Sequence, residues 1–90
     1  MLKPIYPKNF RKQYKLMQKR GMAVDKLLEI MHMIINEQPL PPERSNHPLH
    51  GEWEGAFDCH IQGDWVLIYE IDSAAHTVTF HRTGSHSDLF

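Results

Sequence analysis

Residues 65–69 read Trp-Val-Leu-Ile-Tyr, and this unbroken apolar run decides the fold. Successive residues of a strand point to opposite faces of a sheet, so a run without alternation is buried on both faces. Short breaks, Gln62-Gly63-Asp64 and Asp72-Ser73-Ala74-Ala75, separate residues 65–71 from the segments on either side. We therefore predict a central strand over residues 65–71.

The short breaks on either side of this strand predict an antiparallel meander. We expect the flanking strands over residues 53–61 and 76–82. In the second of these, strand alternation places Phe80 and Arg82 on one face and His81 on the other.

Two helices are predicted before the sheet. Residues 8–20 have an apolar face at helical spacing, with Asn9 as a candidate N-cap and Gly21 as the stop. Residues 23–36 carry a wider apolar stripe and predict the more buried helix. Residues 1–6, interrupted by proline, predict an edge strand, because proline cannot donate to a ladder.

These elements predict an α+β fold in which a helical hairpin packs on a small, mostly antiparallel sheet, in the order β-α-α-β-β-β. Ninety residues, 41% of them hydrophobic, are typical of one domain, which we expect to span positions 1–90. No apolar run approaches the roughly 20 residues that cross a bilayer, and the N-terminus lacks a secretory h-region. The single cysteine, Cys59, fits a reducing cytoplasm. We expect a cytoplasmic protein without membrane association.

Charge is distributed unevenly along the chain. Residues 1–24 hold seven basic residues and no acidic one, whereas all 11 acidic residues follow, although the net charge is only -1. The pattern predicts either a solvated helix face or a surface for a polyanion. The candidate RNA-binding residues are Lys8, Arg11, Lys12, Lys15, Lys19 and Arg20.

Six of the seven histidines lie between positions 47 and 86. A meander brings neighbouring strands to about 4.8 Å, so histidines near strand ends can share a site. Histidine suits proton transfer near neutral pH. Two such groups with an arginine suit RNA cleavage: one activates the ribose 2′-OH, one protonates the leaving 5′-oxygen, and the arginine stabilises the phosphate. That chemistry needs no cofactor.

Other chemistries find less support. No Cys-x-x-Cys or His-Glu-x-x-His motif is present, and His47-x-x-His50 alone is weak evidence for zinc, so we expect no metal site. Cys59 and His60 are adjacent in a strand and point to opposite faces, which excludes a thiol–imidazole pair. We expect Cys59 to be buried and inert.

The motifs at residues 47–53, 58–61, 64–69 and 82–90 together resemble the YafQ branch of the RelE/ParE toxin superfamily. In order they read His-Pro-Leu-His-Gly-Glu-Trp, Asp-Cys-His-Ile, Asp-Trp-Val-Leu-Ile-Tyr and Arg-Thr-Gly-Ser-His-Ser-Asp-Leu-Phe. The resemblance implies a toxin of a type II toxin–antitoxin pair that cuts mRNA in the ribosomal A site. It also implies a DinJ/RelB-like antitoxin as partner, the ribosome and mRNA as targets, and ribosomal RNA as the polyanion for the basic first helix.

The family's active-site positions fall on six residues of this chain: His47, His60, Asp64, Arg82, His86 and Phe90. As a hypothesis, His86 is the general acid, and His60 or His47 with Asp64 supplies the base. Arg82 holds the scissile phosphate and Phe90 orients a base, while Trp65 shapes the site. His50, His76 and His81 are interpreted as bystanders.

Two further functions remain open from the residues alone. A ParE-like toxin acts on a protein such as gyrase, which leaves the three site histidines without a role. A histidine-rich binding or metal-storage module is the other alternative.

Overall fold

The computed structural model describes all residues, 1–90. A five-stranded sheet carries two long helices on one face. In chain order the strands and α-helices are β1 (Lys3–Ile5), α1 (Lys8–Lys19), α2 (Val24–Ile35), β2 (His47–Pro48), β3 (Phe57–Gln62), β4 (Trp65–Asp72), β5 (Thr77–Ser85) and α3 (His86–Leu89). Single 3-10 turns lie at Pro42–Arg44 and Gly51–Trp53. The predicted α+β class and the order of the main elements are confirmed.

The sheet has the strand order β1-β5-β4-β3-β2, so the strand predicted to be central is central. β3, β4 and β5 form the predicted antiparallel meander. β1 is an edge strand, as predicted, and it pairs in parallel with β5. The opposite edge, β2, was not predicted because two residues give no detectable periodicity.

The hydrophobic core lies between the helices and one face of the sheet. It joins Phe10 of α1 and Leu27 of α2 to Leu67 and Phe80 of the central strands, and all of these are at most 3% exposed. Burying large side chains of this kind contributes about 1.5–3 kcal/mol each. The amphipathic helices therefore fold because the sheet covers their apolar stripes.

Several boundaries differ from the prediction. Asn9 does not cap α1; Pro7 is the N-cap residue and supplies no side-chain hydrogen bond. β3 begins at Phe57 instead of residue 53, because a 3-10 turn and Gly55 with φ +95° redirect the chain first. β5 continues to Ser85, and α3 follows it directly. Gly21, with φ +74°, does end the first helix.

A β-bulge at His81 overturns the predicted alternation in β5. Tyr69 pairs with Phe80, but the neighbouring Ile68 pairs with Arg82, so His81 has no partner. Because Ile68 and Tyr69 point to opposite faces, Phe80 and Arg82 do so as well. Phe80 enters the core, and Arg82 lies on the face opposite α1 and α2.

No helix in this fold has the length and apolar character needed to span a membrane.

Candidate active site

Strand register places a polar row on the sheet face opposite α1 and α2. His47 pairs with Asp58, Asp58 with Ile68, and Ile68 with Arg82. His60 lies on the same face, two residues after Asp58 in β3. The meander and the bulge together therefore align two histidines, a carboxylate and an arginine across four strands.

His86 joins this face from the start of α3. Its Nδ1 lies 2.5 Å from Oδ1 of Asp64, in the turn between β3 and β4. The His86 ring centroid is 5.4 Å from that of His60 and 5.8 Å from that of Phe90. Because Asp64 occupies Nδ1, the Nε2 atom of His86 remains for a substrate.

Asp58 is a further candidate for the site that no sequence pattern indicated. It is only 2% exposed, and its Oδ1 lies 3.1 Å from Nδ1 of His47. The approach is close enough for an ion pair but lacks hydrogen-bond geometry, so Oδ1 is a buried oxygen without a hydrogen bond. Burial raises the pKa of Asp58, while the charges of His47, His60 and His86 oppose this rise. Asp58 could have been recognised by its pairing with His47 between β2 and β3, but β2 itself was not predicted.

Arg82 is held by an aromatic ring and a backbone carbonyl. Its guanidinium carbon lies 5.3 Å from the ring centroid of Trp53, within cation–π range. Its Nη1 donates to the His81 carbonyl at 2.8 Å. His81 packs against Trp53 at 5.5 Å and contacts Glu70 Oε1 through Nε2 at 2.9 Å. Trp53 was not singled out from the sequence, and His81, interpreted as a bystander, supports the arginine.

The opposite face contains the titratable groups that do not take part. Cys59 is 0% exposed, and burial raises the pKa of its thiol to about 12, which keeps it protonated and inert. Trp65 is 2% exposed on the core side and donates to Thr83 Oγ1 at 2.8 Å, so it does not line the site as expected. No three histidine, cysteine or acidic side chains converge closely enough to hold a metal ion.

Not every predicted residue occupies the predicted place. Asp64 contacts His86, the residue assigned as acid, whereas His47 has Asp58 as its carboxylate. One group is formed by His60, Asp64, His86 and Phe90. Arg82 lies on the same face but in the neighbouring row, paired with Ile68.

The six basic residues of the first helix and its C-cap are all exposed, but α1 packs on the other face of the sheet. One of them, Arg20, donates through Nη1 to Asp88 Oδ2 at 3.0 Å. The other five basic residues therefore lie on the side of the sheet opposite His47, His60 and His86, whereas Arg20 reaches α3, the helix that carries His86.

Comparison with known proteins identifies relatives along the whole chain. The family described as "Bacterial toxin of type II toxin-antitoxin system, YafQ" matches residues 2–90. The chain is 41% identical over 86 residues to the mRNA interferase toxin YafQ of Escherichia coli K12, covering 94% of this chain and 91% of that protein.

Solved structures agree with this similarity. YafQ in the E. coli DinJ–YafQ complex superposes with a TM-score of 0.92 at 38% identity, covering 100% of this chain and 99% of that one. A copper-bound mutant toxin from Helicobacter pylori superposes with a TM-score of 0.93 at 32% identity, and each chain is covered completely.

Proposed function

This chain belongs to the YafQ family of toxins from bacterial type II toxin–antitoxin systems, and we propose that it is a ribosome-dependent mRNA interferase. The observation that carries the proposal is the group formed by His60, Asp64, His86 and Phe90, with Arg82 on the same face. Imidazoles suit the proton transfers of RNA cleavage, a cation suits stabilisation of the phosphate, and an exposed aromatic ring suits stacking on an unpaired base.

In the proposed reaction, His60 or His47 removes the proton of a ribose 2′-OH. The 2′-oxygen attacks the adjacent phosphorus, a new P–O2′ bond forms, and the P–O5′ bond breaks. Arg82 stabilises the charge on the phosphoryl oxygens. His86 gives a proton to the leaving 5′-oxygen through Nε2, because Asp64 holds its Nδ1. The products are a 2′,3′-cyclic phosphate and a free 5′-OH.

Phe90 is suited to orient a nucleobase. It is 60% exposed at the end of the chain, and its ring lies 5.8 Å from that of His86. Base–aromatic stacking contributes about 1–3 kcal/mol per base and tolerates many sequences. A base stacked on Phe90 brings the neighbouring phosphate to the histidines.

The basic surface supports binding to the ribosome. Lys8, Arg11, Lys12, Lys15 and Lys19 are exposed on α1, behind the sheet from the histidine cluster. Lysine and arginine give RNA affinity that does not depend on sequence. The toxin therefore contacts ribosomal RNA with one face while the other faces the mRNA.

A DinJ/RelB-like antitoxin is the proposed partner, because YafQ of E. coli was solved in a complex with DinJ. We place both proteins in the cytoplasm, where ribosomes are available.

Cleavage by this site uses no metal in our proposal, since every step is assigned to a side chain or to the substrate. Copper bound to the H. pylori toxin makes this point testable. Cleavage that persists after dialysis against a chelator supports the proposal, and activity restored only by an added metal contradicts it.

The function is tested by adding the toxin to a defined mRNA in a cell-free translation mixture, and to the same mRNA in a mixture that lacks ribosomes. Primer extension then maps the positions at which the mRNA is cut. Cuts that appear only on translated mRNA support the proposal. Intact mRNA together with inhibition of purified gyrase would instead support a ParE-like target.

A further inference from the structure

The short helix α3 is fastened by Asp88. The Asp88 N–H donates to Ser85 Oγ at 3.2 Å, and the Ser85 N–H donates to Asp88 Oδ2 at 3.0 Å, which completes a reciprocal capping box. Four residues are too few to form a stable helix alone. The geometry of this turn therefore depends on contacts outside it.

The outside contact comes from Arg20 at the end of α1. Its Nη1 donates to the same Oδ2 atom of Asp88 at 3.0 Å. This hydrogen bond, with the Ser85 backbone bond, lowers the pKa of Asp88 below its ordinary value. The carboxylate is thus shared between the cap of α3 and the end of α1.

Gly84 allows this arrangement by its lack of a side chain. A Cβ atom at position 84 would lie 3.1 Å from both Cβ and Oδ2 of Asp88, tighter than most real contacts. The chain therefore leaves space at the end of β5 for the Asp88 carboxylate.

His86 and Phe90 belong to this turn. Phe90 N–H donates to the His86 carbonyl at 2.8 Å, and the two rings lie 5.8 Å apart, so the same helical turn holds both residues. The side chain of Gln13 also connects α1 to this segment, because its Oε1 accepts from the Thr83 N–H at 3.0 Å. Helix α1 thus braces the part of the chain that carries Arg82, His86 and Phe90.

We propose that Arg20 and Asp88 are positioning residues for RNA cleavage, whose ion pair fastens α3 to α1 and thereby sets the orientation of His86. The inference rests on the proposed endoribonuclease function. It assigns to Arg20 a role different from the RNA contact expected from the sequence. Neither residue touches the substrate; both act through His86.

Four variants test the pair: Arg20→Gln, Arg20→Lys, Asp88→Asn and the double Arg20→Gln/Asp88→Asn. Asn at position 88 still accepts from the Ser85 N–H, so it removes the ion pair and keeps the cap. We expect Asp88→Asn and Arg20→Gln each to lower kcat roughly 2- to 5-fold, because losing an exposed ion pair of up to about 1 kcal/mol lowers the population of the productive His86 orientation by at most that factor. KM should stay within about twofold, and Arg20→Lys should restore much of the loss.

The double variant should be no slower than either single variant, since both remove one interaction. The Tm of each variant should remain within about 3 °C of the wild type, because an exposed ion pair contributes little stability. Glu29→Gln, which removes an exposed acid from α2, is the matched control and should cleave normally.

Histidine side-chain NMR of the isolated protein separates this inference from the function itself. In Asp88→Asn the His86 ring signals should shift, while those of His32 on α2 should not. Wild-type cleavage by both single variants with unchanged His86 signals would overturn the inference, as would losses that multiply in the double variant. A wild-type protein that cuts no mRNA would refute the proposed function. The NMR shifts would still show whether the Arg20–Asp88 ion pair sets the orientation of His86.

Discussion

Nδ1 of His47 lies 3.1 Å from Oδ1 of Asp58, a carboxylate that the fold leaves only 2% exposed. The two residues are direct neighbours across the β2–β3 ladder. An exposed imidazole on a two-residue edge strand would otherwise be free to rotate. The buried carboxylate lies within ion-pair distance of it, on the sheet face that also carries His60 and Arg82.

Asp58→Asn should change the pH dependence of stability. Burial raises the Asp58 pKa above the ordinary 3.8, so the folded protein keeps a proton that the unfolded chain has lost. Folding stability from this group is therefore full below about pH 3.8 and falls as pH rises through the higher folded pKa. Urea unfolding from pH 3 to 7 should show this fall in the wild type and a flatter curve in the variant. Parallel curves would contradict the assignment.

His86→Ala and Arg82→Ala should abolish growth arrest and mRNA cleavage in a folded protein. Loss of a general acid costs about 10²–10⁴-fold in rate, and loss of a charge-stabilising donor about 10²–10³-fold. Primer extension measures mRNA cleavage, and circular dichroism shows whether each variant is folded. His32→Ala on the exposed side of α2 is the control and should retain activity. Full toxicity in both site variants would contradict the catalytic roles assigned to His86 and Arg82.

Trp53→Ala should weaken catalysis through Arg82. The ring lies 5.3 Å from the guanidinium carbon, and a cation–π contact of this kind contributes about 0.5–2 kcal/mol, which corresponds to a rate loss of roughly 2- to 30-fold. Single-turnover cleavage on purified ribosome complexes measures the loss. Trp53→Phe keeps an aromatic face and should lose less. Equal losses in the two variants would show that the ring does not act as a cation partner.

Lys12→Gln combined with Lys15→Gln should weaken ribosome binding without altering the chemistry. Each lost phosphate contact reduces the slope of log affinity against log salt by about one unit. Sedimentation with ribosomes over a range of salt concentrations gives this slope. Lys26→Gln, an exposed lysine on α2, serves as the control. An unchanged slope in the double variant would remove α1 from the ribosome interface.

Hydrophobic periodicity accounts for what the sequence could predict. The unbroken apolar run of β4 determined its central place, and the apolar stripes of α1 and α2 determined the helical hairpin. The set of site residues came from motifs that resemble the YafQ family, and it stays a prediction. Periodicity carries no signal for β2 or α3, because two and four residues are shorter than the patterns being sought.

Tertiary contacts account for what the sequence could not predict. Asp58 was missed because its role depends on pairing with His47 across a strand that was not foreseen. Trp53 was missed because a 3-10 turn, and not a strand, brings it to Arg82. Likewise, the sequence does not show that His47 contacts Asp58 and His86 contacts Asp64, because the tertiary fold brings these residues together.

The unpaired His81 has a consequence for how this strand can evolve. It shifts the alternation of β5 by one residue, so that Phe80 before it and Thr83 after it face the core while Arg82 faces the opposite side of the sheet. Deleting this one residue would remove the bulge but leave Phe80 opposite Tyr69 and the arginine opposite Ile68, so both side chains would keep their faces. The extra residue is thus not needed for the phase of the strand, and what position 81 contributes is its side chain, which contacts Trp53 and Glu70.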